Sequence, residues 1–404
     1  MIFYRYKIKN YIAGCILILL AISGTSVANI VSDMFQSYES LKFSDIFFIY
    51  FIISFLFFSH NFVIFSAHLI DDNLFFFILF LLFLSFATIS VLFNLRIDVF
   101  RSIAHLLRLY YYLCMMFFVA YISVRYLTVE EICYGLYLGI VCTCLISVYI
   151  LFSKKIGSFI ADSNIRKLGS ELGANPIATY AAALFPVGVC KIFSKDAARV
   201  RAINVLFVIA IIMTTLLAES KSAWIVILVD IVLYILLQPN YISKIKILLY
   251  FLCGFLLNAN WIIRIVEGEI KSSVNPNVMD RITMYFEALQ YSLDNPFFGI
   301  GYSNYINISS RGYDPHSGYA LIFSEIGMLG GVCYCFINAY VIIDLFRRRY
   351  KGSNKLLLML FVNILILELF TCLFATQLVK YICFGLYLAN KKLQYCPLLK
   401  QRNV

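Results

Sequence analysis

The feature that most restricts what this chain can fold into is the recurrence of apolar runs long enough to cross a bilayer as α-helix. About 20 residues rising 1.5 Å each span the ~30 Å of hydrocarbon. Runs of that order occur at about 11–31, 45–67, 74–94, 106–126, 132–152, 177–193, 202–218, 222–238, 245–263, 318–346, 355–375 and 376–391. In lipid, backbone N–H and C=O groups must be satisfied within a helix or a closed barrel, and these runs lack the two-residue alternation of barrel strands. Composition agrees: 62% of 404 residues are hydrophobic, 14% are charged, and the mean hydropathy is +0.87. The expectation is an all-α polytopic membrane protein with about twelve transmembrane helices, and a soluble globular domain is excluded.

Lys and Arg collect in cytoplasmic connections. The clusters are Arg5, Lys7 and Lys9; Lys191, Lys195, Arg199 and Arg201; Lys244 and Lys246; Arg347, Arg348, Arg349, Lys351 and Lys355; and Lys391, Lys392, Lys400 and Arg402. With the runs above, all fall on one side, so both termini are expected to be cytoplasmic. Arg96, Arg101 and Arg108 break the pattern, because the same topology puts them in a short outer connection. The net charge of +11 is dispersed over loops; it reads as a topology signal with attraction to anionic membrane lipids, and nucleic acid is not an expected partner. The 12 cysteines lie mostly inside apolar runs, Cys142, Cys144, Cys333 and Cys335 among them, and read as small packing residues. No Cys/His cluster has zinc spacing, so no metal, cofactor or disulfide is expected. The first apolar run follows a basic stretch but is too long for a signal peptide and is expected to remain as a membrane helix.

A single integral membrane domain, 1–404, is expected, interrupted at 153–176 and 264–317, both on the outer side. The longer interruption, between the ninth and tenth spans, has internal order. Ile282, Tyr285, Phe286, Leu289 and Leu293 have helical spacing, which predicts an amphipathic helix over Met279–Leu293, on the membrane or capping the bundle. Asp294-Asn295-Pro296 ends it, since Pro cannot donate to the helical ladder. Phe297-Phe298-Gly299-Ile300-Gly301-Tyr302 follows, a turn whose glycines let backbone approach a ligand. Asp314-Pro315-His316-Ser317 then leads into the next apolar run, where Gly327 and Gly330 are spaced to share one helix face and admit a neighbouring helix.

His316-Ser317 followed by Gly327-x-x-Gly330 resembles the signature of the O-antigen ligase and polymerase superfamily, membrane enzymes that move lipid-linked glycans in bacteria. Arg281, the short helix after it, Asn295-Pro296 and Gly299-x-Gly301 resemble a second family segment. Ser220-Lys221-Ser222-Ala223-Trp224 is similar to its Ser-Arg-Gly-Ala segment, with Lys221 where the family usually has Arg; lysine keeps the charge but loses the bidentate fork suited to phosphate oxygens. Asn175-Pro176 resembles a further element. The resemblance covers roughly 170–345.

The resemblance implies transfer of a glycan from an undecaprenyl diphosphate-linked oligosaccharide to a sugar hydroxyl of a glycan acceptor, at the periplasmic face of the inner membrane, with a chain-length regulator as a further family partner. Such chemistry needs cations for the leaving diphosphate and a base for the acceptor proton. Arg281 and Lys221 are the candidate cations, with Arg311 a third; at a partly dehydrated surface they stabilise developing negative charge. His316 is the candidate base, its unperturbed pKa near 6.5 suiting neutral pH. Asp314 or Glu325 is a candidate for orienting its ring or raising its basicity. Gly299 and Gly301 are candidate ligand-lining residues, and Tyr302, Tyr305 and Tyr313 could stack on sugars. Asp230, Glu325 and Glu368 are ionisable groups in or beside spans, which makes them functional candidates. His60 and His105 read as interfacial or core histidines. Three functions stand at this point: a polymerase joining lipid-linked repeat units of an O-antigen or capsule-like polysaccharide, a ligase passing finished glycan to a lipid A core, and a transporter of lipid-linked glycan. The polar residues concentrate in one outer loop rather than at a midplane between repeated halves, which favours the enzymes over the transporter.

Overall fold

A computed structural model of the chain describes residues 60–94, 99–158, 174–194, 197–217, 220–238, 276–312, 314–350, 353–371 and 378–395. These form α1 His60–Asp72, α2 Leu74–Phe93, α3 Val99–Arg125, α4 Val129–Ser158, α5 Ala174–Ile192, α6 Ala198–Leu217, α7 Lys221–Leu236, α8 Pro276–Asp294, α9 Tyr305–Ile308, α10 Gly318–Arg347, α11 Asn354–Phe370 and α12 Leu378–Tyr395, with no strand among the described residues. The all-helical expectation holds. Among the described residues 4 helices are long and apolar enough to span a membrane, namely α2, α3, Ala198–Thr215 within α6, and α10. The expected runs at 11–31 and 245–263, and most of 45–67, lie outside the described residues.

α2 is apolar all round, as a lipid-facing helix should be. Phe76, Phe80, Phe83 and Ala87 turn inward, while Phe75, Leu81, Leu92 and Phe93 are exposed. The core is continuous across α2, α3, α4, α5, α7, α10, α11 and α12. α3 begins earlier than its apolar run: Arg101 and Arg108 lie within its first turns, not in a connecting loop.

Contacts at the helix ends sort the charges. At one end Lys392 meets Asp72 (3.2 Å), Lys391 Nζ donates to the Tyr340 hydroxyl (3.2 Å), Ser353 donates to Glu130 (3.1 Å), and Lys191 lies over the Tyr134 ring (5.3 Å). Lys355, in the first turn of α11, sits over the ring of Tyr234, in the last turn of α7 (3.9 Å). The two helices are therefore antiparallel, and Lys221, opening α7, lies at the same end as the C-terminus of α11. At that opposite end Thr371 O accepts from Gly318 N (3.1 Å), directly after His316-Ser317. The basic clusters within the described residues gather at the first end, and Arg101, Lys221, Arg281 and His316 at the second.

Two buried polar pairs cross the bundle. Pro186 interrupts α5 and has no N–H for the carbonyl of Ala182. Asn363 Nδ2 of α11 serves that carbonyl and Ala183 O (3.3 Å each) and reaches Asp230 Oδ2 of α7 at 2.7 Å. Glu368 of α11 is fully buried with Lys380 of α12, whose Nζ lies 2.7 and 2.9 Å from its oxygens, and the Tyr334 hydroxyl of α10 donates to Glu368 at 2.8 Å. Asp230 and Glu368 are thus paired separately, not with each other.

Candidate active site

The expected amphipathic helix is present as α8, beginning three residues before Met279 and ending at Asp294 as Asn295-Pro296 requires. Its large apolar residues face away from the protein: Ile282, Phe286, Leu289 and Leu293 are 42–68% exposed, and the face against the bundle is Met284, Ala288 and Ser292. Such a stripe suits a helix lying in the headgroup layer.

Past α8 the chain docks into a break in α10. Gly327 has φ 85 and ψ 175, which divides that helix and strands the carbonyls before it. Ile300 N donates to Ser324 O (2.9 Å), Gly301 N to Glu325 O (3.1 Å), and Met328 N to Pro296 O (2.8 Å), so the turn supplies the missing partners. Ser90 of α2 adds a donation to Glu325 O (2.6 Å), and Phe93 stacks on Phe298 at 4.9 Å. The pairing of Gly327 with Gly330 as one helix face is thereby corrected. Gly327 lies outside helical geometry, its missing Cβ leaving room for the Phe297 carbonyl, while Gly330 admits Phe86 of α2. Gly299 and Gly301 are likewise buried at positive φ, a Cβ on the first meeting the Glu325 backbone and one on the second meeting Asn304 and Asn94. Their conformational freedom serves this docking.

From the turn, residues 302–312 run back along α8. Tyr305 N donates to Glu325 Oε1 (3.1 Å) and its hydroxyl to Met284 O (3.0 Å). Glu287 accepts from Ser310 N (2.8 Å) and from the Tyr291 hydroxyl (3.0 Å). Arg311 pairs with Asp280 at 2.7 Å, which offsets the charge expected to meet a diphosphate. Tyr302 and Tyr305 are 2% and 0% exposed, leaving no ring face for a sugar; Tyr313 lies outside the described residues.

His316 sits where this loop enters α10. Ser317 caps the helix, accepting from Ala320 N (3.3 Å), and donates to Glu368 O (3.4 Å). From the other side the Tyr285 hydroxyl donates to His316 O (3.0 Å). Tyr285 and Arg281 are four apart on α8 and share a face. Arg281 acts on the imidazole directly: partial burial first, and then its charge, hold His316 below the usual histidine value. His316 is therefore a neutral acceptor at neutral pH. Arg281 is exposed and has no ion-pair partner among the described residues. The charge that lowers the imidazole is that of Arg281, not of Asp314 or Glu325.

Asp314 and Glu325 lie within electrostatic reach of Arg101 of α3, and Asp314 of Glu325. Burial pushes the Asp314 carboxyl up, and Arg101 opposes that. The Arg108 charge reaches Tyr302. In the sequence these arginines stand out only by violating the charge asymmetry of the expected topology. Lys380 carried no such signal, being a lone lysine in an apolar run.

The structure thus brings together His316, Arg281 and Tyr285, sets Asp314 and Glu325 beside them with Arg101, and leaves Lys221, exposed at the start of α7, at the same end of the bundle. No curated protein matches the chain. Residues 205–335, from within α6 to just past the break in α10, match the family model described as O-antigen ligase, the family that the His316, Arg281 and Lys221 motifs resemble.

Proposed function

We propose that the chain is a polymerase of bacterial surface polysaccharide, extending an undecaprenyl diphosphate-linked glycan at the periplasmic face of the inner membrane. The observation that carries this reading is the imidazole of His316 in the field of Arg281, whose charge adds to partial burial in holding it below the usual histidine value, within the segment matched by the family. The acceptor hydroxyl oxygen bonds to the anomeric carbon of the donor sugar as that carbon's bond to the diphosphate oxygen breaks. The electron pair leaves with undecaprenyl diphosphate, whose charge Arg281 and Lys221 offset, and the hydroxyl proton passes to His316. Donor binding also prepares the base, because an anion at Arg281 cancels the field that depresses His316 and so raises its proton affinity.

The ligase is a second reading, favoured by the family's own description; it keeps the same donor and the same three residues but takes a lipid A core as acceptor. A deletion strain separates the two. Loss of long chains with single repeat units still on the core supports the polymerase, whereas bare core with lipid-linked polymer accumulating supports the ligase. In proteoliposomes, lipid-diphosphate oligosaccharide supplied from outside should be lengthened by the wild type, and Lys221→Arg should retain activity. Movement of that substrate across the bilayer without lengthening would overturn both readings.

A further inference from the structure

The three residues that follow His316 all rest on one buried polar cluster that the transfer chemistry does not use. Ser317 Oγ donates to Glu368 O (3.4 Å) and Gly318 N to Thr371 O (3.1 Å), both acceptors lying at the C-terminal end of α11. The Tyr319 ring meets the Tyr334 ring edge-on, with centroids 5.8 Å apart and planes at 69°. Tyr334 lies beyond the break in α10, and its hydroxyl donates to Glu368 Oε1 (2.8 Å). Lys380 Nζ of α12 closes the cluster, 2.7 and 2.9 Å from the two Glu368 oxygens, 2.5 Å from the Tyr334 hydroxyl and 4.1 Å from the centre of its ring. Glu368 and Lys380 are 0% exposed and Tyr334 3%, so no substrate reaches them. Both halves of α10 thus meet α11 and α12 at the corner that carries the histidine.

Stability alone does not account for such a cluster. Taking both ions out of water is costly, and an apolar pair of similar volume commonly stabilises a core as well or better. What apolar side chains lack is direction: each hydrogen bond here fixes the register of α11 against α10 and α12, whereas a flexible side chain such as methionine fills the same space in several rotamers. On its other side the corner is held by the Tyr285 hydroxyl on His316 O (3.0 Å). The seat on α11 therefore decides where the imidazole stands relative to Arg281. We propose that Glu368, Lys380 and Tyr334 are positioning residues for His316: the ion pair fixes the end of α11 and the Tyr334 ring, and these in turn fix Ser317, Gly318 and Tyr319. This rests on the transferase reading of His316.

The test compares full-length variants in proteoliposomes, with lipid-diphosphate oligosaccharide as donor. Lys380→Met with Glu368→Met keeps the core filled and should give folded protein, read by size-exclusion in detergent, whose kcat is lower by about ten- to a hundredfold with little change in KM for the donor. A role in stability alone would leave kcat per folded molecule at the wild-type value, and that result would overturn the proposal, as would a raised KM with kcat intact. Should the double variant not fold, Tyr334→Phe decides, since it keeps the ring against Tyr319 and loses only the hydroxyl: a lowered kcat at unchanged KM supports the proposal, and wild-type kcat overturns it. His316→Ala run in parallel separates the two claims. If it is fully active, the transferase reading fails and the positioning role with it; if it is inactive while the folded double variant keeps wild-type kcat, only the positioning role fails.

Discussion

At the scale of single residues, the account turns on the field that Arg281 exerts on His316. Partial burial and that nearby positive charge both disfavour the imidazolium, which holds His316 below the usual histidine value and favours its base form at neutral pH. Removing the charge relieves one of the two causes. In Arg281→Gln the midpoint should move up toward the ordinary value. Diethyl pyrocarbonate labelling of the His316 peptide against pH, read by mass spectrometry, checks this; an unchanged or lowered midpoint contradicts it. Both residues were legible in the sequence through motif spacing, and their electrostatic coupling was not. It depends on α8 lying alongside the loop that precedes α10, which the Tyr285 hydroxyl secures. Arg311 shows the reverse case: its basic character was plain, but the Asp280 carboxylate that offsets it became visible only when the loop folded back on α8.

At the scale of elements, the break in α10 and the glycine turn form one device. Ala at Gly327 would have to adopt a positive-φ extended conformation open essentially to glycine alone, costing roughly 1–3 kcal/mol, and would also drive Cβ into the Phe297 carbonyl. Gly299→Ala would meet the Glu325 backbone. Either substitution should reduce thermal stability in detergent and disable transfer even where folded protein remains, whereas Gly312→Ala, also at positive φ but with open space around its Cβ, carries the backbone strain without a clash and should cost less. Thermal unfolding and transfer assays on the three variants test the contrast; equal behaviour at all three positions contradicts it. The sequence marked every glycine involved but not its use. A Gly-x-x-Gly spacing reads as helix packing because helical periodicity is local, and the segment that satisfies the broken ladder lies 24 to 32 residues earlier. α8 was legible nearly to its ends, since an amphipathic pattern closed by Asn295-Pro296 needs no distant partner.

At the scale of the whole molecule, basic clusters at one end and site residues at the other express a single rule about where Lys and Arg reside. Of the exceptions on α3, Arg101 lies within electrostatic reach of Asp314 and Glu325, and Arg108 within that of Tyr302. The buried Lys380–Glu368 pair ties α12 to α11 directly beneath Ser317. Removing one member leaves an uncompensated charge, so Lys380→Ala or Glu368→Ala should destabilise by roughly 3–5 kcal/mol, while Lys380→Met with Glu368→Met should cost much less than the sum. Unfolding midpoints in detergent check the non-additivity. The helical class and most helix positions were readable because bilayer thickness dictates run length. The Glu368 and Asp230 partners were not, since their contacts join helices far apart in the chain.

The claim that His316 and Arg281 act together on a lipid diphosphate is tested most directly by measuring donor affinity and single-turnover transfer side by side for wild type, His316→Ala and Arg281→Ala in proteoliposomes. The expected result is that His316→Ala binds donor nearly as well as wild type but transfers about 10²–10⁴-fold more slowly, whereas Arg281→Ala loses both binding and transfer. Wild-type transfer rates in His316→Ala, or undiminished donor affinity in Arg281→Ala, would contradict the account.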